Sequence, residues 1–283
     1  MQHIDDVANL VDPVVVVAFE GWNDAADAAT GVVDHLLEMW AAEPLDEIDP
    51  EDYYDFQMNR PTIDHDEDGE RTITWPTTRL FLARPTGAER DVLLVRGLEP
   101  NMRWRAFCEE ILTWVDRFGA NLVVTLGALL ADSPHTRPVP VSGHASDAAL
   151  SAALDLDISR YKGPTGINGV FTDAVAANAL SCVSLWAAVP HYVSQTPCPK
   201  ATLALLGRLE EVLGVPLPVG ELVEASRAWE RGVDELSRED PDIAAYVESL
   251  EEARDTSDLP EASGDAIARE FERYLRRRKH DTD

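Results

Sequence analysis

From Val14 to Phe19 every position is apolar and most are β-branched. A run apolar on both faces predicts a strand buried inside a sheet with helices on each side. Glu20-Gly21-Trp22-Asn23-Asp24 breaks that run. From Ala25 to Trp40 the apolar positions Ala25, Ala29, Val32, Val33, Leu36 and Leu37 recur near the helical period, with Asn23 or Asp24 as the cap. The opening is therefore a strand, a loop and a helix. An acid-rich stretch over 43–70 follows, with short strands expected at Tyr53 to Gln57 and Arg71 to Trp75. Leu80 to Ala83 and Asp91 to Val95 predict two further strands joined at a Pro85/Gly87 turn. A helix is expected from Trp104 to Phe118, closed by Gly119. Leu122 to Leu126 reads as a second core strand, followed by the proline-punctuated loop Asp132-Ser133-Pro134-His135-Thr136-Arg137-Pro138. A glycine-rich loop, Gly163 to Gly169, leads to a short helix near Asp173 to Leu180. Val183 to Val189 predicts another strand, and Lys200 to Leu213 a helix ending at Gly214.

Strands alternating with helices in this way predict one α/β sandwich with a mixed sheet over residues 1–218, the runs at 71–95 adding antiparallel strands. Beyond Val219 the pattern is helical only. Leu222, Ala225, Trp229, Val233 and Leu236 form a seam with three-four spacing. Pro241 opens a second helix carrying Ile243, Val247 and Leu250, and a third carries Ile267, Phe271 and Tyr274. This predicts a helical C-terminal arm over 219–283, whose seam closes on itself, on the sheet domain or on another subunit.

Composition narrows the partners. The 283 residues include 52 acidic and 24 basic side chains, for a formal charge of −28. Such a surface repels nucleic acid and anionic membrane alike, so neither is expected as a partner. With 45% hydrophobic and 27% charged residues the chain is globular in composition. Cys108, Cys182 and Cys198 make no CxxC pair, and with the acidic start Met1-Gln2-His3-Ile4-Asp5-Asp6 they predict a cytoplasmic protein without a secretory signal. The longest nearly apolar run, Leu122 to Ala131, is far short of the ~18 residues of a membrane span.

Most familiar motifs fail on inspection. Asp64-His65-Asp66-Glu67-Asp68-Gly69 begins like a calcium loop, but Trp75 stands where the bidentate glutamate belongs, so a hairpin tip on Asp68-Gly69 is the plainer reading. Gly163-Pro164-Thr165-Gly166-Ile167-Asn168-Gly169 lacks the lysine and hydroxyl of a phosphate loop and reads as structural. The histidines and cysteines have no zinc spacing, and there is no GxSxG elbow. No cofactor and no metal is expected. One constellation is left, since an open α/β sheet presents the carboxyl ends of its strands to ligands. Those ends carry Glu20, Asn23 and Asp24, then Glu99 and Arg103, then His135 and Arg137, then His191. Converging on one cleft, they would bind a polar ligand or pass a proton. Alternatively they cap helices and pair with one another, Asn23 or Asp24 as cap and Arg137 as partner of Glu20.

The same segments carry a resemblance. Phe19-Glu20-Gly21-Trp22-Asn23-Asp24-Ala25, Pro134-His135-Thr136-Arg137-Pro138, Gly163-Pro164-Thr165-Gly166-Ile167 and Val189-Pro190-His191-Tyr192 are similar, in content and order, to the proteasome assembly chaperone 2 family in its bacterial branch. The resemblance implies a three-layer α/β/α sandwich of phosphorylase/hydrolase-like fold. It also implies a non-catalytic role in proteasome core-particle assembly, with proteasome α subunits as partners, and a homo-oligomer, with a trimer favoured. Two departures stand out. Glu20 and Trp22 occupy the place where a phosphorylase of this fold would carry its phosphate loop. The terminal Lys279-His280-Asp281-Thr282-Asp283 lacks the hydrophobic–Tyr–any-residue tail by which some proteasome-binding proteins enter the α-ring. The competing expectation is a small-molecule enzyme or ligand-binding protein that uses the charged strand-end cluster.

Overall fold

A computed structural model describes residues 9–66, 69–85, 90–156, 161–193 and 195–257. The chain runs β1 (Val14–Glu20), α1 (Ala28–Met39), β2 (Glu43–Glu47), β3 (Thr62–His65), β4 (Arg71–Thr74), β5 (Thr78–Ala83), β6 (Val92–Leu98) and α2 (Trp104–Phe118). It continues with β7 (Leu122–Ala131), β8 (Val141–Ala145), α3 (Ala148–Leu154), α4 (Ile167–Ala177), β9 (Ser181–Pro190), α5 (Pro199–Leu213), α6 (Leu222–Glu239) and α7 (Pro241–Ser257).

Seven strands form the main sheet in the order β2-β5-β6-β1-β7-β9-β8. β6, β1, β7 and β9 are parallel, while β5 joins β6, β2 joins β5 and β8 joins β9 antiparallel. The sheet is mixed, as the sequence pattern predicts. β1 lies at its centre, and its side chains divide by parity. Val14, Val16 and Ala18 pack into one core with α1 and α5, whereas Val15, Val17 and Phe19 pack into a second core with α2 and α4. That division makes three layers, helices on both faces of one sheet.

Local signals set several boundaries. Gly119 and Gly214 take left-handed backbone (φ +64° and +65°) at the ends of α2 and α5, the cap conformation that glycine adopts without a Cβ penalty. Gly97 faces Thr78 across the β5–β6 pair, and a Cβ there would lie 2.6 Å from the Thr78 Cα, so the two strands can close only over glycine. Asp24 serves α1, accepting from the amides of Ala29 (2.6 Å) and Thr30 (3.2 Å) and from the Thr30 hydroxyl.

Some expectations are corrected. Tyr53 to Gln57 is no strand: Pro50–Asp52 is a short 3-10 turn capped by Asp49, and Tyr53 and Tyr54 turn inward from it. Their hydroxyls donate to Glu110 and to the Leu98 carbonyl, so they behave as packing residues of the α2 side. The helix expected near Asp173 begins at Ile167, because the end of the glycine-rich loop is its first turn and Gly166 its cap. β7 runs to Ala131, beyond the predicted Leu126. Arg71 to Thr74 pairs with Thr62 to His65 as a separate hairpin, in keeping with the hairpin reading of 64–69, although residues 67 and 68 of its tip lie outside the described residues. The short β2, β8 and α3 carry too little periodicity to be read from sequence.

Beyond the sheet, α6 and α7 form the arm. Leu222 and Trp229 pack, partly buried, against the α1–α5 core and Val233 is buried, whereas Leu236 at the end of the seam stands 51% exposed, so the seam closes on the α1–α5 core only in part. The third expected helix, with Ile267, Phe271 and Tyr274, lies outside the described residues. Among the described residues no helix is long and apolar enough to cross a membrane.

Burial pushes the Asp24 carboxyl above its ordinary range, outweighing its three donors. A folded-state value above the unfolded one means the folded chain holds this proton more tightly, so Asp24 contributes less to stability as pH rises through that value. Asp24→Ala, which removes the cap, should therefore destabilise the fold by about 1–2 kcal/mol in urea denaturation. Asp24→Asn, which keeps a capping oxygen without the buried charge, should cost clearly less.

Candidate functional site

The strand-end residues are all on the expected edge of the sheet, and they fall into separate groups. Glu20 closes β1 and pairs with Arg96 of β6, which also takes Asp34 of α1 through two bonds of 2.8 and 3.1 Å. Arg103 caps α2 with a left-handed backbone (φ +56°), pairs with Asp52 at 2.5 Å and lies over the Tyr53 ring at 5.8 Å. Both pairs are partly exposed, and such pairs are worth little energetically.

A second group is knit by Glu99. Its Oε1 accepts from Asn23 Nδ2 at 2.9 Å and from the Ile167 amide at the start of α4 at 2.8 Å. The carboxylate thus occupies the helix N-terminus where an anion would otherwise be drawn. Asn23 is 1% exposed, and its own carbonyl accepts from the Ala128 amide, which stitches the β1 loop to β7. A Cβ at Gly166 would come within 2.3 Å of Asn23 Oδ1, so the glycine is required by close approach. Asn168 donates to the Leu126 carbonyl at 2.8 Å.

The third group is the largest and joins the sheet to the arm. His135, 1% exposed, has Nδ1 2.7 Å from the Tyr192 hydroxyl, which also accepts from the His135 amide. A carboxylate only accepts, so Nε2 donates to Asp234 Oδ1 of α6 at 3.1 Å, and in the neutral ring that this leaves Nδ1 accepts from the Tyr192 hydroxyl. Burial pushes the Tyr192 phenol up to about 12. Lys200 of α5 donates to the His135 carbonyl and to Glu230 of α6. Arg137 makes two parallel bonds to Asp255 of α7, at 2.9 and 2.8 Å, and a third contact to Glu251 at 3.3 Å. Thr136 donates to the same Glu251. His191 lies 3.2 Å from Asp132, to which Tyr246 of α7 donates at 3.2 Å, and the rings of His191, Tyr192 and Tyr246 pack edge to face.

Arg137 is therefore the partner of Asp255 and Glu251, and Glu20 that of Arg96, not of each other. No side-chain hydrogen bond or ion pair among the described residues joins Glu20, Asn23 or Glu99 to the His135 group. Trp104 packs in the α2–α4 core, while Trp22 stands 68% exposed, so neither roofs the strand ends. Among the described residues no group of His, Cys, Asp and Glu gathers to hold a metal ion.

Sequence reasoning missed the arm's share of this group. Glu230 and Asp234 on α6, and Glu251 and Asp255 on α7, are each spaced i,i+4, which sets each pair on one helix face. Two such acidic pairs on an arm were the available signal. Nothing in spacing says that they would meet Lys200, His135 and Arg137. The hydrogen bond to Arg137 holds Asp255 below the usual carboxylate range. That contact is in force at neutral pH and is lost as pH falls through the depressed value.

Comparison with known proteins places these elements in context. The sequence profile of the PAC2 family matches residues 18–237, a span that crosses residue 218 and takes in most of α6. A PAC2 family protein from Streptomyces avermitilis is 57% identical, with a TM-score of 0.79 over 83% of this chain and 100% of its own. A proteasome-assembly chaperone homologue from Mycobacterium tuberculosis is 53% identical, with a TM-score of 0.76 over 83% of this chain and 99% of its own. A protein of unknown function from Corynebacterium glutamicum, 25% identical, has a TM-score of 0.79 over 88% of this chain and 93% of its own. No curated protein matches the chain.

Removing the arm's partner for the buried imidazole tests the linkage. Asp234→Ala leaves His135 Nε2 without its acceptor, which should cost about 1–3 kcal/mol in urea denaturation. Hydrogen exchange along α6 should quicken in the same variant while that of β1 and β7 stays slow.

Proposed function

The chain belongs to the PAC2 family, and on that premise we propose that it is a non-catalytic, chaperone-like interaction protein linked to proteasome core-particle assembly. Its partners on this reading are proteasome α subunits and further copies of itself, with a trimer favoured. The observation that carries the reading is the state of the strand ends. The groups that would hold a polar substrate, His135, Arg137 and Lys200, are engaged by the acids of α6 and α7. Glu99 in turn fills the start of α4. Around these internally paired groups the surface is apolar in places, with Trp22 68%, Leu129 45% and Leu130 51% exposed, a pattern suited to protein contacts.

A second reading, a site for a small polar ligand, has one observation in its favour. Asn23 Oδ1, in the loop after β1, and Asn168 Oδ1, in α4, are buried acceptors without a partner. Such atoms are normally satisfied, and a ligand or water with N–H or O–H donors would satisfy them.

Binding of the purified full chain to purified proteasome α subunits, measured at low and high salt, tests the proposal. A chain of charge −28 should bind a basic patch and lose affinity as salt rises. Deletion of residues 276–283 should leave that binding intact. Absence of binding at low salt, together with a metabolite retained by wild type and lost in Asn23→Ala, would transfer the assignment to the ligand reading.

A further inference from the structure

α2 and α4 share one face of the sheet, and they are seated differently. α2 buries Phe107, Ile111, Val115 and Phe118 in an apolar core. α4 lies against β7 and β9, where the floor is polar. Thr125 of β7 stands opposite Ser184 of β9, and Ser184 stands opposite His144 of β8, so the three make one row across adjacent strands. Side chains alternate along a strand. Val123 and Cys182, two positions before Thr125 and Ser184, belong to the α2–α4 core, so the row faces that side. Asn168 is fully buried in the first turn of α4 and donates to the Leu126 carbonyl at 2.8 Å.

This layer is short of hydrogen bonds. Thr125 Oγ1, His144 Nδ1 and Asn168 Oδ1 are buried without a partner, as is Asn23 Oδ1, which lies against Gly166 at the start of the helix. Of the row only Ser184 has a side-chain partner, accepting from Trp186 Nε1 at 2.9 Å. Among the described residues one other buried side-chain atom is in the same state, Ser237 Oγ, so the shortfall is concentrated around α4. A buried polar atom left dry carries its full desolvation cost, whereas the same atom in an opened layer is met by water. Several such costs together are of the same order as the gain from burying Ile167 and Phe171, the apolar residues of the first turns of α4. α2 carries no such opposing term over its apolar residues.

We propose that α4 is a lid, which lifts from the row of Thr125, Ser184 and His144, admits water to those groups and recloses while α2 stays seated. Glu99 is its catch, since Oε1 holds the Ile167 amide at the start of α4 together with Asn23 Nδ2. The motion goes beyond the assembly reading and does not depend on it.

Two thiols report on it. Cys182 begins β9 within reach of the Thr172 hydroxyl of α4, Cys108 belongs to α2, and both are buried in the same core. Methyl methanethiosulfonate added to the native full chain, followed by mass spectrometry over time, should modify Cys182 about tenfold faster than Cys108 or more. Thr125→Val replaces the dry hydroxyl by a methyl of the same shape. It should slow the reaction of Cys182 about tenfold and leave that of Cys108 unchanged. In the wild type, amide hydrogens of Val170 to Ala174 should exchange faster, after correction for intrinsic rates, than those of Ile111 to Val115. Equal labelling of the two thiols in the wild type overturns the lid, and so does slower exchange in α4 than in α2. A Thr125→Val chain that exposes Cys182 as fast as the wild type, or faster, overturns it too, because the dry floor would then not be what loosens the helix.

Discussion

Strand β1 has no face that tolerates water. Val14 to Phe19 are all buried, alternating between two separate cores, and the other elements are arranged to make that possible. A strand apolar on both sides must lie between neighbouring strands and beneath helices on each face. β6 and β7 flank it in parallel, α1 and α5 cover one side, and α2 and α4 the other. Parallel neighbours require crossover helices, so the layered order follows from the burial of six residues. The same arrangement brings the ends of β1, β6, β7 and β9 to one edge of the sheet, and every charged loop considered for function is attached to one of those ends.

What those loops do is decided by the arm. On sequence, His135, Arg137 and His191 are candidates for a ligand site, because charged and polar groups on converging strand-end loops would bind a polar ligand or pass a proton. In the fold, the helices α6 and α7 supply carboxylates that reach the first two, and Lys200 beside them is taken in the same way. The arm thereby joins apolar packing, through Leu222 and Trp229, to polar capture of the loop at 132–137. A buried imidazole held between a phenol and a carboxylate is costly to leave unpartnered, so the polar contact specifies where the arm lies as well as holding it there. The strand ends become an attachment point for the protein's own C-terminal helices.

The three cysteines show a related contrast between type and setting. Cys108, Cys182 and Cys198 are buried, and burial pushes the thiols of Cys108 and Cys182 up to about 12, which keeps them protonated and unreactive. They belong to the apolar layers, where cysteine behaves as a small hydrophobe.

Much of the layered fold is determined by the sequence itself, because it rests on local signals that need no partner to be read. An apolar β-branched run is a buried strand wherever it occurs, and the periods of α2 and α5, with glycine at each end cap, mark helices whose limits need no tertiary information. The family resemblance carried by Glu20 to Ala25, by Pro134 to Pro138 and by the two later segments is legible for the same reason: it is a matter of residue order. Tyr53 and Tyr54 were misread because an alternating aromatic stretch has the same pattern whether it pairs with a strand or turns in from a 3-10 turn onto α2. The partner of each charged side chain was beyond sequence altogether. Glu20 finds Arg96 and Arg137 finds Asp255 at separations of 76 and 118 residues, and among so many acids the spacing along the chain selects none of them. Only the packing of α6 on α5, and of α7 behind it, brings the right carboxylate within hydrogen-bond reach, so the tertiary structure decided whether the strand ends are open or occupied.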